Sequence, residues 1–208
     1  MKTGKTLWMT AAACVAAMSG AVPAANVNAA TLAVHVADQA GAPIADAVIY
    51  ATPVDGRLPA RPPAGAVIAQ KNKMFVPLVS VIQTGASVKL PNLDDIAHDV
   101  YSLSAPKRFE LKLYRGVPPH PVVFDKPGLV VLGCNIHDMM VAYLLIVDTP
   151  YFAKSDASGN ATFANLPTDR YRVTVWHYRQ SDANARPTQT IDASANSAAT
   201  FTVKLDAE

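Results

Sequence analysis

Charge, aromatic residues and cysteine are all scarce in this 208-residue chain. Only 16% of residues are charged and 7% aromatic, and there are two Cys and five His. No run of Lys or Arg is present and the formal net charge is +2. That argues against a nucleic-acid protein, which needs clustered cations to neutralise phosphates. Sustained helical periodicity is also missing after residue 30, which argues against a helix bundle. What is present is apolar material, 50% of the chain, punctuated by 16 Pro and 10 Gly. This is too apolar for a disordered chain and suits many short strands joined by turns.

The first thirty residues have the pattern of a secretory signal peptide. Lys2 and Lys5 make a positive start, and Leu7 to Val22 is a run of small apolar residues. Val27-Asn28-Ala29 offers a small-x-small cleavage site, with Val22-Pro23-Ala24 as a competitor. The run falls short of the ~20 apolar residues of a spanning helix, which disfavours a membrane anchor. Cys14 lacks the context of a lipobox, because Ala precedes it and the apolar run ahead is short. Removing residues 1–29 takes two Lys and no acid, so 16 basic residues face 16 acidic ones. Cys14 leaves as well, and Cys134 remains the single thiol in a periplasmic, oxidising compartment. An unpaired thiol there is an inert buried residue, half of an intermolecular disulfide, or a metal ligand.

Alternating and β-branched runs predict strands at 32–36, 47–50, 66–70, 74–82, 86–91, 98–104, 109–114, 121–124, 129–134 and 141–147. More follow near 161–164, 171–178, 187–192 and 198–205. Residues 53–65 hold four Pro and two Gly, and 57–65 reads as a linker. The block 66–148 has strands enough for a complete small β-sandwich. The flanks, 31–56 and 149–206, are each too small to be stable alone, so the expectation is that they pair with each other as a second sandwich around the first.

The segment Gly133-Cys134-Asn135-Ile136-His137-Asp138-Met139-Met140 carries the chemistry. Upstream lies Pro91-Asn92-Leu93-Asp94-Asp95-Ile96-Ala97-His98. Together they supply one thiolate, two imidazoles and a thioether, the donor set of a blue-copper site with a His₂Cys plane and a weak axial Met. Cys134, His137 and Met140 fit one tight loop between two strands, and His98 opens a separate strand. Met140 is favoured over Met139 by its offset of three from His137. His35, His120 and His177 lack such partners and read as surface or packed residues. Asp94, Asp95 and Asp138 read as solvated loop acids, with Asn92 bracing the His98 loop through backbone hydrogen bonds.

On Cys-x₂-His-x₂-Met, on Phe75-Val76-Pro77, on Asn92-x-Asp94 and on His98-x-Val100-Tyr101-Ser102, residues 66–148 resemble the cupredoxins. The similarity is to amicyanin-like and plastocyanin-like members, and to exported cupredoxins labelled methylamine-utilisation proteins. It implies a Greek-key β-sandwich with one type 1 copper per chain. His98, Cys134 and His137 would be its equatorial ligands and Met140 its axial ligand. It implies single-electron transfer between periplasmic redox proteins, such as a c-type cytochrome or a dehydrogenase, rather than an enzyme. Asp99 departs from the pattern, where many members place Asn. The turn Asp38-Gln39-Ala40-Gly41-Ala42-Pro43 and the stretch Gly159-Asn160-Ala161-Thr162-Phe163 resemble a carboxypeptidase-regulatory-like, transthyretin-type sandwich. Two other readings stay open: copper delivery or storage with the same ligands, and a non-metal β module for binding or adhesion. Five His are too few for oxidase chemistry on oxygen, and a binuclear copper centre needs two Cys.

Overall fold

The computed structural model describes residues 29–59, 62–180, 182 and 185–206; the expected signal peptide, 1–29, lies outside them up to residue 28, as do residues 60 and 61 of the expected linker. The described residues form an all-β structure without helix. Strands β1 (Ala29–Asp38) and β2 (Val48–Pro53) open the chain. Eight short strands follow: β3 (Ala66–Val67), β4 (Ala69–Lys71), β5 (Met74–Val76), β6 (Val79–Gln83), β7 (Ala86–Lys89), β8 (His98–Ser102), β9 (Phe109–Tyr114) and β10 (Val122–Phe124). Then come β11 (Gly128–Gly133), β12 (Val141–Val147), β13 (Phe152–Lys154), β14 (Asn160–Pro167), β15 (Arg170–Trp176), β16 (Thr188–Asp192) and β17 (Ser197–Val203).

The first strands pair with the last. β1 lies between β14, antiparallel, and β17, parallel. β2 lies between β13 and β15, and β16 completes that sheet. Alternation in β1 sends Leu32, Val34 and Val36 inward. They meet Ile49, Ala51, Tyr171, Val173 and Phe201 in one core. The chain between β2 and β13 forms different sheets: β6-β12-β11-β8-β9, β10-β7-β3 and the hairpin β4-β5. Their core holds Phe75, Val88, Val100, Phe124, Leu132, Leu144 and Ile146.

A third apolar cluster joins the two sets of sheets. Val79, Leu145 and Val147 pack against Val48 and Trp176. β12 is therefore buried on both faces, which is why Val141–Val147 reads as an unbroken apolar run rather than an alternating one.

Three expectations about elements need correcting. The single strand 66–70 is two, β3 and β4, because the chain leaves its pairing with β7 to form the hairpin with β5. The single strand 74–82 is two, β5 and β6, interrupted at Pro77 and Leu78, since proline has no N–H for a ladder. β13 has no counterpart among the predicted strands. Its three residues show no alternation, and it exists because it pairs with β2.

Candidate metal centre

β8 begins at His98 and β11 ends at Gly133, and these strands run side by side. The loop 134–140 then returns into β12. It closes tightly, with the Met140 N–H donating to the His137 carbonyl at 2.9 Å. Local spacing thus sets Cys134 beside His137, and the β8–β11 pairing brings His98 to them.

One ligand atom from each of His98, Cys134 and His137 lies within 4.8 Å of the others. His98 Nδ1 is 4.0 Å from Cys134 Sγ. The two imidazole rings are 5.0 Å apart between centroids and tilted by 61°. His98 is fully buried, and Cys134 is buried as a free thiol. Met140 is buried in the same core cluster as Cys134, whereas Met139 is 91% exposed. Cys134, Met140, Asn135, Asp138 and Tyr101 line one cavity of about 330 Å³.

Two carboxylates hold the loops. Asp99, itself buried, accepts from the Asn135 N–H at 2.7 Å and from Asn135 Nδ2 at 2.6 Å, tying β8 to the Cys134 loop. Burial pushes the Asp99 carboxyl up, but hydrogen bonds from Cys134 and Asn135 outweigh it and leave it below the usual carboxylate range. Asp94 bonds His98 Nε2 at 2.9 Å. The Lys73 backbone N–H is the main influence holding Asp94 below its ordinary range, with His98 and the Asn72 N–H adding to it against some desolvation. Asp94 is not the solvated loop acid expected from its setting, whereas Asp95 and Asp138 are exposed. The i,i+4 spacing of Asp94 and His98 was the available signal. Asn92 is buried and donates to the carbonyls of Ile96 at 2.9 Å and Tyr114 at 2.8 Å. Tyr114, opposite His98 in the β8–β9 ladder, has its phenol pushed up to about 12, chiefly by burial.

The donor set can be tested against a soft metal ion. His137 Nδ1 is buried and has no hydrogen-bond partner. An unsatisfied buried polar atom costs ~1–3 kcal/mol, so such atoms are rare without a reason. A cation accepting its lone pair, together with those of His98 Nδ1 and the Cys134 sulfur, removes that cost, and thiolate with imidazole suits copper. The residues fit the group. The remaining His lie elsewhere: His35 bonds Asn160, His120 is exposed and His177 packs on Tyr178.

No protein-family model matches the chain, and no curated protein sequence does. Solved structures with partial likeness include the copper-containing nitrite reductase of Thermus scotoductus SA-01. It is 23% identical with a TM-score of 0.38, over 46% of this chain and 25% of that one, so this chain spans a quarter of the reductase's length. The purple cupredoxin of Nitrosopumilus maritimus is 20% identical with a TM-score of 0.35, over 39% of this chain and 99% of that one. An amicyanin variant in its reduced Cu(I) form is 14% identical with a TM-score of 0.35, over 49% of this chain and 99% of that one. At these scores the likeness carries no weight of its own, and the case for a metal rests on His98, Cys134 and His137.

Proposed function

We propose that this chain is an exported cupredoxin that holds one type 1 copper and carries single electrons between periplasmic redox proteins. The observation that supports it is the convergence of one thiol and two imidazole nitrogens in a buried place, with His137 Nδ1 unpartnered. His98, Cys134 and His137 would hold the ion, and Met140, buried in the same core cluster as Cys134, would offer its thioether as a weaker donor. When bound, copper supplies a one-electron couple with no bond to a substrate made or broken. The chain's own part is to keep the donors fixed. Asp94 and Asp99 brace His98 and the Cys134 loop, and Met140 is packed into the apolar core beside Cys134. His137, half-buried beside the exposed Ile136 and Met139, is the side from which a partner would reach the site. With equal numbers of basic and acidic residues after cleavage, docking would rest on weak apolar contact more than on charge steering.

We read residues 31–56 and 149–206 as a second, transthyretin-like sandwich into which 66–148 is inserted; the pairing of β1 and β2 with β13 to β17 supports this. The test of the copper reading is anaerobic addition of Cu(II) to the chain lacking residues 1–29. An intense thiolate-to-copper absorption band and a narrow electron paramagnetic resonance splitting are expected at one copper per chain. Cys134→Ser should remove the band and leave a folded β protein. A colourless Cu(II) complex of the unaltered chain would sink the proposal.

A further inference from the structure

Asp94 is held from three sides. Its Oδ1 accepts from the Asn72 N–H at 2.6 Å, and its Oδ2 accepts from the Lys73 N–H at 2.9 Å and meets His98 Nε2 at 2.9 Å. Asn72 and Lys73 both adopt left-handed backbone, φ 55° and 57°, which turns two successive N–H groups toward the carboxylate. The Asp94 N–H donates in turn to Asn92 Oδ1 at 3.0 Å, inside the buried Asn92 brace. The acid therefore has little freedom, and neither does the fully buried imidazole it faces.

A carboxylate only accepts, so the proton of the Asp94–His98 bond sits on Nε2. In the neutral ring the lone pair is then on Nδ1, the atom that faces Cys134 Sγ at 4.0 Å. We propose that Asp94 is a positioning residue: it fixes His98 as the Nε2–H tautomer before any metal arrives, and it lowers the reduction potential of a copper bound there. A negative charge on the far side of the ring makes Nδ1 a stronger donor, and a stronger donor favours Cu(II) over Cu(I). The first half stands on the metal-free chain, and only the second rests on the copper reading.

Two measurements on the full chain test it. Long-range proton–nitrogen NMR of the metal-free protein, above the imidazole titration range, should show His98 as one tautomer with Nε2 protonated. A His98 protonated on Nδ1, or exchanging between tautomers, overturns the proposal without any variant being made. Asp94→Asn should then weaken copper about 10–100-fold and raise the potential, and Asp94→Glu, which keeps the charge, should return the potential toward the original. Copper affinity and potential unchanged in Asp94→Asn would overturn the second half. If Asp94→Asn does not fold, the NMR result on the unaltered chain decides the first half, and Asp94→Glu decides the second by holding the potential near the original or failing to. A chain that binds no copper but shows the locked tautomer would end the copper reading and leave the hold of Asp94 on His98 standing.

Discussion

A Cβ placed on Gly133 would lie 2.8 Å from Cζ and 2.9 Å from the hydroxyl oxygen of Tyr101, its partner across β8 and β11. Such distances are shorter than real Cβ contacts, so the ring must tip away for any other residue to stand next to Cys134. Gly133→Ala is expected to cost ~1–3 kcal/mol, the usual penalty for overpacking. Denaturant unfolding of Gly133→Ala, alone and combined with Tyr101→Ser, checks the cause: the second change should recover much of the loss, and strict additivity would argue for backbone strain instead. At this scale the nearness of Cys134, His137 and Met140 was legible because it is a matter of loop spacing. The bond from Asp94 to His98 had a signal in its i,i+4 spacing, but the hold of the left-handed turn at Asn72 and Lys73 on Asp94, from more than twenty residues upstream, showed only in the fold. Asp99 was legible as a departure, but its grip on Asn135 needed the fold.

Strand β12 shows why burial on both faces matters to whole elements. Ala142, Leu144 and Ile146 enter the core behind the candidate metal centre, and Tyr143, Leu145 and Val147 enter the joint with the β2–β15 sheet. Leu144 and Leu145 are both fully buried, on opposite sides. Leu144→Ala and Leu145→Ala should each lose ~2–5 kcal/mol in urea unfolding, the range for truncating a buried Leu. A sheet with one wet face would leave Leu145→Ala near neutral, and that result would deny the joint. Runs such as 109–114 and 141–147 were readable to the residue because composition and turns bound them closely. The break at Pro77 was written in the sequence but outweighed by the β-branched run around it. β13 had no local signal, since it owes its existence to the distant strand β2.

For the whole molecule, the joint is both apolar and aromatic. Tyr143 of β12 stacks on Tyr178 at 5.0 Å and lies 6.5 Å from Trp176, while His177 packs on Tyr178 at 4.5 Å. Lys154 adds a polar clamp, donating to the Val79 carbonyl at 2.9 Å and pairing with Asp46. His177 is buried, and its Nδ1 accepts from the Arg179 N–H at 3.3 Å. Burial first, and the positive charge of Arg179 second, push its imidazole below the ordinary value of 6.5, against the opposing pull of the Ala45 backbone and Asp46. The unfolded chain binds a proton at this residue near pH 6.5 while the folded chain resists it. Stability therefore rises with pH across that interval, and what His177 contributes is present above the unfolded value and lost as pH falls below it. The urea midpoint of the metal-free chain should drop between about pH 7.5 and 5.5, above the range in which carboxylates titrate. His177→Gln removes the titrating group and should flatten that part of the profile. An unchanged slope in the variant would mean that the acid sensitivity of the joint comes from another group.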